Sequence, residues 1–164
     1  MEKQHALQQL EQLQKKLYAI HYACSAMNLD ADTVAPKNTS EGRGVALGVL
    51  AGEEQQLMIC PETRALLDEL DRQKDELDLL HRREVEELRR RCDQLTRIPA
   101  EEYIAYSELV NKAGDVWHKA KEKDDFEMFC PLLQELVEYN RKFAAYYDST
   151  RAPYDALLNE YERG

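Results

Sequence analysis

The stretch Leu10-Glu11-Gln12-Leu13-Gln14-Lys15-Lys16-Leu17-Tyr18-Ala19-Ile20-His21-Tyr22-Ala23-Cys24-Ser25-Ala26-Met27 decides the fold class. Its residues Leu10, Leu13, Leu17, Ile20, Cys24 and Met27 alternate steps of three and four. That spacing lines them along one face of an α-helix, whereas a strand would alternate every second residue. A helix with a single apolar stripe must bury it against other elements, so the stretch predicts a packed helical assembly.

Working outward, Asn28 to Asn38 reads as a loop, because Asp30, Asp32, Pro36 and Asn38 interrupt the stripe and Pro36 biases Ala35 toward extended backbone. Ser40 can cap a second helix whose apolar side uses Val45, Leu47, Leu50, Leu57 and Met58. Gly42, Gly44, Gly48 and Gly52 weaken that helix intrinsically and imply either close packing or a kink. A phosphate-binding loop is the sharper reading of those glycines, but the Gly-Lys-Ser/Thr ending and a preceding strand are both missing.

Pro61 suits the first turn of a third helix, with Glu62 near the positive end of its dipole, and neither Pro nor Gly follows before Pro99. The reading is one very long central helix with a seam of Leu66, Leu70, Leu77, Leu80, Leu88, Cys92 and Leu95. Pro99-Ala100-Glu101-Glu102 starts another, striped by Tyr103, Tyr106, Val110, Ala113, Trp117 and Ala120. Asp124 or Asp125 caps the next, which carries Phe126, Phe129, Leu133, Leu136, Phe143 and Tyr147, with Pro131 either a break or the true first turn. After a turn at Asp148 to Arg151, a short helix from Pro153 carries Tyr154, Leu157, Leu158 and Tyr161. Residues 1–164 thus read as a single all-α domain, an antiparallel bundle of long helices.

Composition bounds the function classes. The chain is 43% hydrophobic and 33% charged with only six glycines and five prolines, which argues against disorder and loop-rich β architectures. A formal net charge of -10 disfavours nucleic-acid and anionic membrane partners. The basic run from His81 to Arg91 is interrupted by Glu84, Glu86 and Glu87 and reads as a solvated helix face. No apolar run is long enough to span a bilayer, and the N-terminus lacks a signal-peptide core, so the expectation is a soluble cytoplasmic protein. Cys24, Cys60, Cys92 and Cys130 are widely spaced, as reduced core thiols would be.

Catalytic and metal-ligating patterns were weighed against packing. A His-Glu-x-x-His motif sets two histidines one turn apart on a metal beside a water-activating glutamate. The histidines here are followed by Ala6, Tyr22, Arg82 and Lys119, so none begins one. Asp78-Leu79-Leu80-His81 is the nearest approach to a di-metal ligand pair, but it occurs once. His21 and Cys24 are one turn apart, yet Cys24 lies on the apolar stripe, where packing explains it better than nucleophilic chemistry. The aromatics from Tyr103 to Tyr147 fall mostly on stripe positions and read as core. No residue of this chain is assigned a catalytic, cofactor-binding or metal-ligating role.

The decapeptide Pro153-Tyr154-Asp155-Ala156-Leu157-Leu158-Asn159-Glu160-Tyr161-Glu162 closely resembles a signature stretch of the carboxypeptidase Taq family of zinc metallocarboxypeptidases. Agreeing segments follow in order: Leu29-Asp30 through Thr33 to Pro36, Gly42-Arg43, Thr96 to Glu101, Trp117 with Ala120, and Asp125-Phe126 through Phe129 to Leu132. Leu29 stands where the family commonly has tryptophan, and Ala35 where it has methionine.

This resemblance implies a helical N-terminal region, beside and partly over a peptide groove. Zinc, with the His-Glu-x-x-His motif and a later glutamate, would belong to a catalytic half that has no counterpart here. Full-length relatives would then remove C-terminal residues from peptides, many of them as dimers, while this chain alone would be inactive. An engineered boundary, a gene fragment and a shortened paralogue remain open readings of its length, as does a stand-alone interaction protein derived from the scaffold. Tyr154, Leu157, Leu158 and Tyr161 are the candidate docking residues, toward the missing half or a second copy.

Overall fold

The structure is a computed structural model that describes residues 3–36 and 38–159. Seven α-helices and one short 3-10 turn make up the described residues, with no strand among them. They are α1 (Lys3–Thr33), α2 (Ser40–Ile59), α3 (Pro61–Arg72), the 3-10 turn Lys74–Glu76, α4 (Leu79–Arg97), α5 (Ala100–Glu122), α6 (Phe126–Asp148) and α7 (Pro153–Leu158). The all-α fold expected from the stripes is present.

The very long helix from Pro61 to Leu95 is not. It is a hairpin, α3 and α4, folded at the 3-10 turn. Gln73 to Glu76 put four consecutive polar residues where the seam needs an apolar one, so nothing holds the chain straight there. Asp78 then restarts the helix, its carboxylate accepting the main-chain N–H of His81 at 2.9 Å as an N-cap. Folding back brings Leu66, Leu67 and Leu70 into one buried cluster with Leu77, Val85, Cys92 and Leu95. Burial of each such leucine contributes roughly 1.5–3 kcal/mol, and a straight helix would leave much of that seam in water.

Three further elements differ from expectation. Helix α1 runs on to Thr33 through most of the expected loop, since no proline occurs before Pro36 and the Thr33 hydroxyl donates to the Leu29 carbonyl. Helix α6 passes through Pro131 without ending. Its N-cap is Asp125, which accepts from Met128, while Asp124 takes a left-handed backbone with φ 52°. Thr39 rather than Ser40 occupies the N-cap of α2, and no side chain caps it.

Helix α2 touches α1, α3, α4 and α5 and is the central helix of the fold. Its buried side is Gly44, Leu47, Gly48, Ala51, Glu54, Gln55 and Met58, whereas Val45 faces solvent. The glycines mark close packing: β-carbons on Gly44, Gly48 and Gly52 would meet Asn111, Glu108 and Ile104 of α5 within 3.0 Å. A cluster centred on Leu10, Met58, Leu67 and Leu70 joins α1 to α4, and a smaller one of Leu109, Ala113 and Leu132 joins α5 to α6.

Candidate functional site

A cleft of about 530 Å³ opens between α1, α2 and α5. The close approach of α5 to the glycine face of α2 sets one wall, and the C-terminal half of α1 sets the other. At its inner end four helices bring charged and ionisable groups together: His21 and Cys24 from α1, Glu54 from α2, Arg91 from α4 and Tyr103 from α5.

Glu54 organises this cluster. It is almost wholly buried, and a carboxylate removed from water must find charged or hydrogen-bonding partners. Arg91 donates to its Oε1, and His21 Nε2 lies 3.0 Å from the same oxygen. His21 Nε2 is also 3.1 Å from Arg91 Nη2. Burial, and then the negative charge of Glu54, push the Tyr103 hydroxyl above its usual range, against the smaller opposing influence of Arg91. Burial also pushes the Cys24 thiol up, and Glu54 adds to it. A thiol held protonated in this way is a poor nucleophile.

Toward the mouth of the cleft, the Arg43 Nε donates to Asn111 Oδ1 at 2.9 Å, and Asn111 Nδ2 donates to the Ser40 carbonyl at 2.9 Å. Asp115 receives Lys119 at 2.7 Å and lies 3.9 Å from Arg43. These contacts fasten the start of α2 to α5. His118 and Asp32 approach to 3.6 Å across the opening, joining α5 to the end of α1.

A catalytic metal needs several unprotonated donors converging on one open point. Among the described residues no three His, Cys, Asp or Glu side chains converge in that way. The closest arrangement does not fit a cation: the Glu54 oxygen that faces His21 already holds the Arg91 guanidinium, whose charge repels a metal there. The pair Asp78 and His81 is a helix cap, with His81 Nδ1 2.8 Å from the second oxygen of the same carboxylate.

Of the candidate docking residues, Tyr154 and Leu158 are exposed on α7, Leu157 is half-buried, and Ala156 supplies the buried contact of that short helix. Tyr161 lies outside the described residues. Trp117 and Phe126, expected in the core, are 41% and 60% exposed. The buried positions of α5 are Leu109, Ala113 and Ala120, so two alanines of the expected stripe are in the core, Tyr103 and Tyr106 are half-buried, and Val110 and Trp117 are exposed. Most of the basic run of α4 is paired: Arg83 with Glu86, Arg89 with Asp68 and Asp71 of α3, Arg90 with Glu87, and Arg91 with Glu54 of α2, while Arg82 donates to the Lys74 and Leu77 carbonyls.

Sequence reasoning missed Glu54 and Arg91. The available signal was an acidic residue three positions after Ala51 on the small-residue face of α2, where a charge has to be answered from another helix.

Two of the segments that carried the family resemblance border this cleft, through Asp32 and Arg43. Arg43 ties α2 to α5, and Ile98, in the stretch Thr96 to Glu101, is buried at the α4 to α5 corner. Leu29, which replaces the family tryptophan, is exposed on α1.

Fold and frame together define an all-α segment built round a central helix. The family model described as Carboxypeptidase Taq (M32) metallopeptidase matches residues 9–164, and the chain belongs to that family. Carboxypeptidase 1 of Bacillus subtilis is 36% identical over 146 residues, covering 88% of this chain and 29% of the relative. Thermostable carboxypeptidase 1 of Pyrococcus furiosus is 31% identical over 150 residues, covering 92% and 30%. Among solved structures, that of BsuCP superposes with a TM-score of 0.89 at 32% identity, over 98% of this chain and 32% of that one. Trypanosoma cruzi metallocarboxypeptidase 1 gives a TM-score of 0.74 at 30% identity, over 98% and 32%. The chain thus spans about a third of the length of these relatives.

Proposed function

We propose that this chain is the N-terminal helical scaffold and lid of a zinc metallocarboxypeptidase, and that it has no peptidase activity by itself. The observation that carries the reading is the superposition on BsuCP with a TM-score of 0.89 over 98% of this chain but only 32% of that one. A sequence without His-Glu-x-x-His, and a charged cluster closed to cations, support the second half of the proposal. In this reading residues 1–164 act as one domain in the cytoplasm. The cleft wall of α1, α2 and α5 shapes a peptide-binding groove, and zinc chemistry belongs to the remainder of the fold. No helix among the described residues is long and apolar enough to cross a membrane.

The test is to incubate the purified chain with zinc and a set of peptides, following release of C-terminal residues and bound metal together. No release and no stoichiometric zinc is the expected result. Release of C-terminal residues with one zinc bound per chain overturns the proposal.

A second reading, a stand-alone helical interaction protein, draws on exposed apolar side chains such as Tyr154 and Leu158 on α7. A purified chain that forms a stable homodimer through α7 and neither needs nor accepts a catalytic remainder would favour it.

A further inference from the structure

Helix α6 carries two apolar stripes, and the fold uses one. Phe129, Leu132 and Leu136 pack with Leu109 and Ala113 of α5. Roughly a third of a turn round the helix, Phe126, Cys130, Leu133 and Val137 form a second line at spacings of four, three and four. That is the repeat of a seam that meets another helix. Phe126 is 60%, Leu133 36% and Val137 42% exposed, and Trp117 of α5 shares a groove with Phe126. Scattered exposed apolar residues are ordinary, but a continuous line along one helix with an aromatic pair at its end marks a contact surface.

Its occupant follows from the comparison of lengths. This chain superposes almost whole on BsuCP, yet fills only 32% of that structure. Its faces therefore meet either solvent or the other two-thirds of a fold of that size, and the regular second stripe of four residues is a face suited to a partner helix rather than to solvent. Resting on the scaffold reading above, we infer that the second stripe of α6, with Trp117, is the surface on which the remainder of a carboxypeptidase Taq fold packs, through a helix bearing a complementary apolar seam. Glu127, Gln134 and Glu138 flank the stripe and supply a polar rim, as at the edge of a protein contact.

The experiment pairs two settings of one double variant, Leu133→Asp with Val137→Asp. In the isolated chain both positions are partly open to solvent, so the variant is expected to fold and to melt only slightly below the parent. In a hybrid in which this chain replaces the matching segment of Bacillus subtilis carboxypeptidase 1, the same carboxylates would be buried without partners. There, release of C-terminal residues is expected to fall at least about tenfold.

A hybrid that keeps full activity and stability with both aspartates overturns the inference while leaving the scaffold reading intact. An unsubstituted hybrid that neither folds nor acts overturns the scaffold reading and the inference with it. Loss of folding in the isolated variant overturns the inference, since the stripe would then be packed within this chain. A parent chain that dimerises where the variant is monomeric also overturns it, assigning the stripe to a second copy.

Discussion

Gly44 of α2 lies so close to Asn111 of α5 that a β-carbon on Gly44 would sit 2.9 Å from Asn111 Nδ2. Asn111 cannot step aside cheaply, because it donates to the Ser40 carbonyl and accepts from Arg43. Gly44→Ala should therefore destabilise the chain by roughly 1–3 kcal/mol despite the better helix propensity of alanine. Gly114 in α5 is the control: nothing lies within 4 Å of its missing β-carbon, so Gly114→Ala should stabilise by about 0.5–1 kcal/mol. Urea denaturation of both variants reads the contrast, and equal shifts would remove close approach as the reason for glycine at position 44.

Gln55 is fully buried, and its amide donates to the main-chain carbonyls of Leu95 at 3.1 Å and Ile98 at 2.9 Å. One side chain of α2 thereby satisfies the open end of α4 where the chain turns into α5. Gln55→Leu keeps the volume but takes the donor from the Ile98 carbonyl, at about 1–3 kcal/mol for the group left unpaired, while the Leu95 carbonyl keeps the Ile98 main-chain N–H at 3.3 Å. The side-chain oxygen Oε1 has no protein partner in the native chain, which offsets part of the loss. A net destabilisation of roughly 1–2 kcal/mol is expected, with hydrogen exchange quickening first at Ile98. Unchanged exchange there would mean that the corner is held by Ile98 burial alone.

These two contacts also explain how far the sequence could be read. Helix starts were legible because their signals are local: Pro61, Pro153 and Asp125 each stand at the start of a helix. The α3 to α4 hairpin was not, because Gln73, Lys74 and Glu76 are good helix formers and the gain from folding back is long-range burial of Leu66, Leu67 and Leu70. Close packing at the glycines of α2 could be anticipated, but the identity of α5 as partner could not. The Glu54 and Arg91 pair joins residues 37 apart across two helices, and only the fold shows that Glu54 is buried.

Acid should weaken the contacts of Asp115, chiefly with Lys119 on its own helix and less with Arg43 and Ser40 of α2. The hydrogen bond from Lys119 holds the Asp115 carboxyl below its usual range, helped by Ser40 and the charges of Lys119 and Arg43, against some burial. A folded-state pKa lower than the unfolded one means that the stabilisation is complete above the unfolded value, about 3.9. It is lost as pH falls from there through the lower, folded value. Because Lys119 is largely exposed and screened, the contribution is under about 1 kcal/mol. Asp115→Asn should flatten that part of the acid limb in urea midpoints taken from about pH 2 to 6. An acid limb identical to the parent's would show that Asp115 does not contribute to it.

Cys24 tests the charged cluster at the inner end of the cleft. Burial and then the Glu54 charge raise its pKa, so at neutral pH it should alkylate more slowly than an exposed thiol. Glu54→Gln removes the second influence while keeping the shape of the side chain, and Cys24 should then react several-fold faster. Cys92 serves as the internal control, since burial is the main cause of its own raised pKa and Glu54 is not among its causes. Faster alkylation at Cys24 with an unchanged rate at Cys92, followed by mass spectrometry of the labelled peptides, is the expected pattern. Equal acceleration at both thiols would mean that the substitution had loosened the fold, and no acceleration at Cys24 would mean that the Glu54 carboxylate does not reach it.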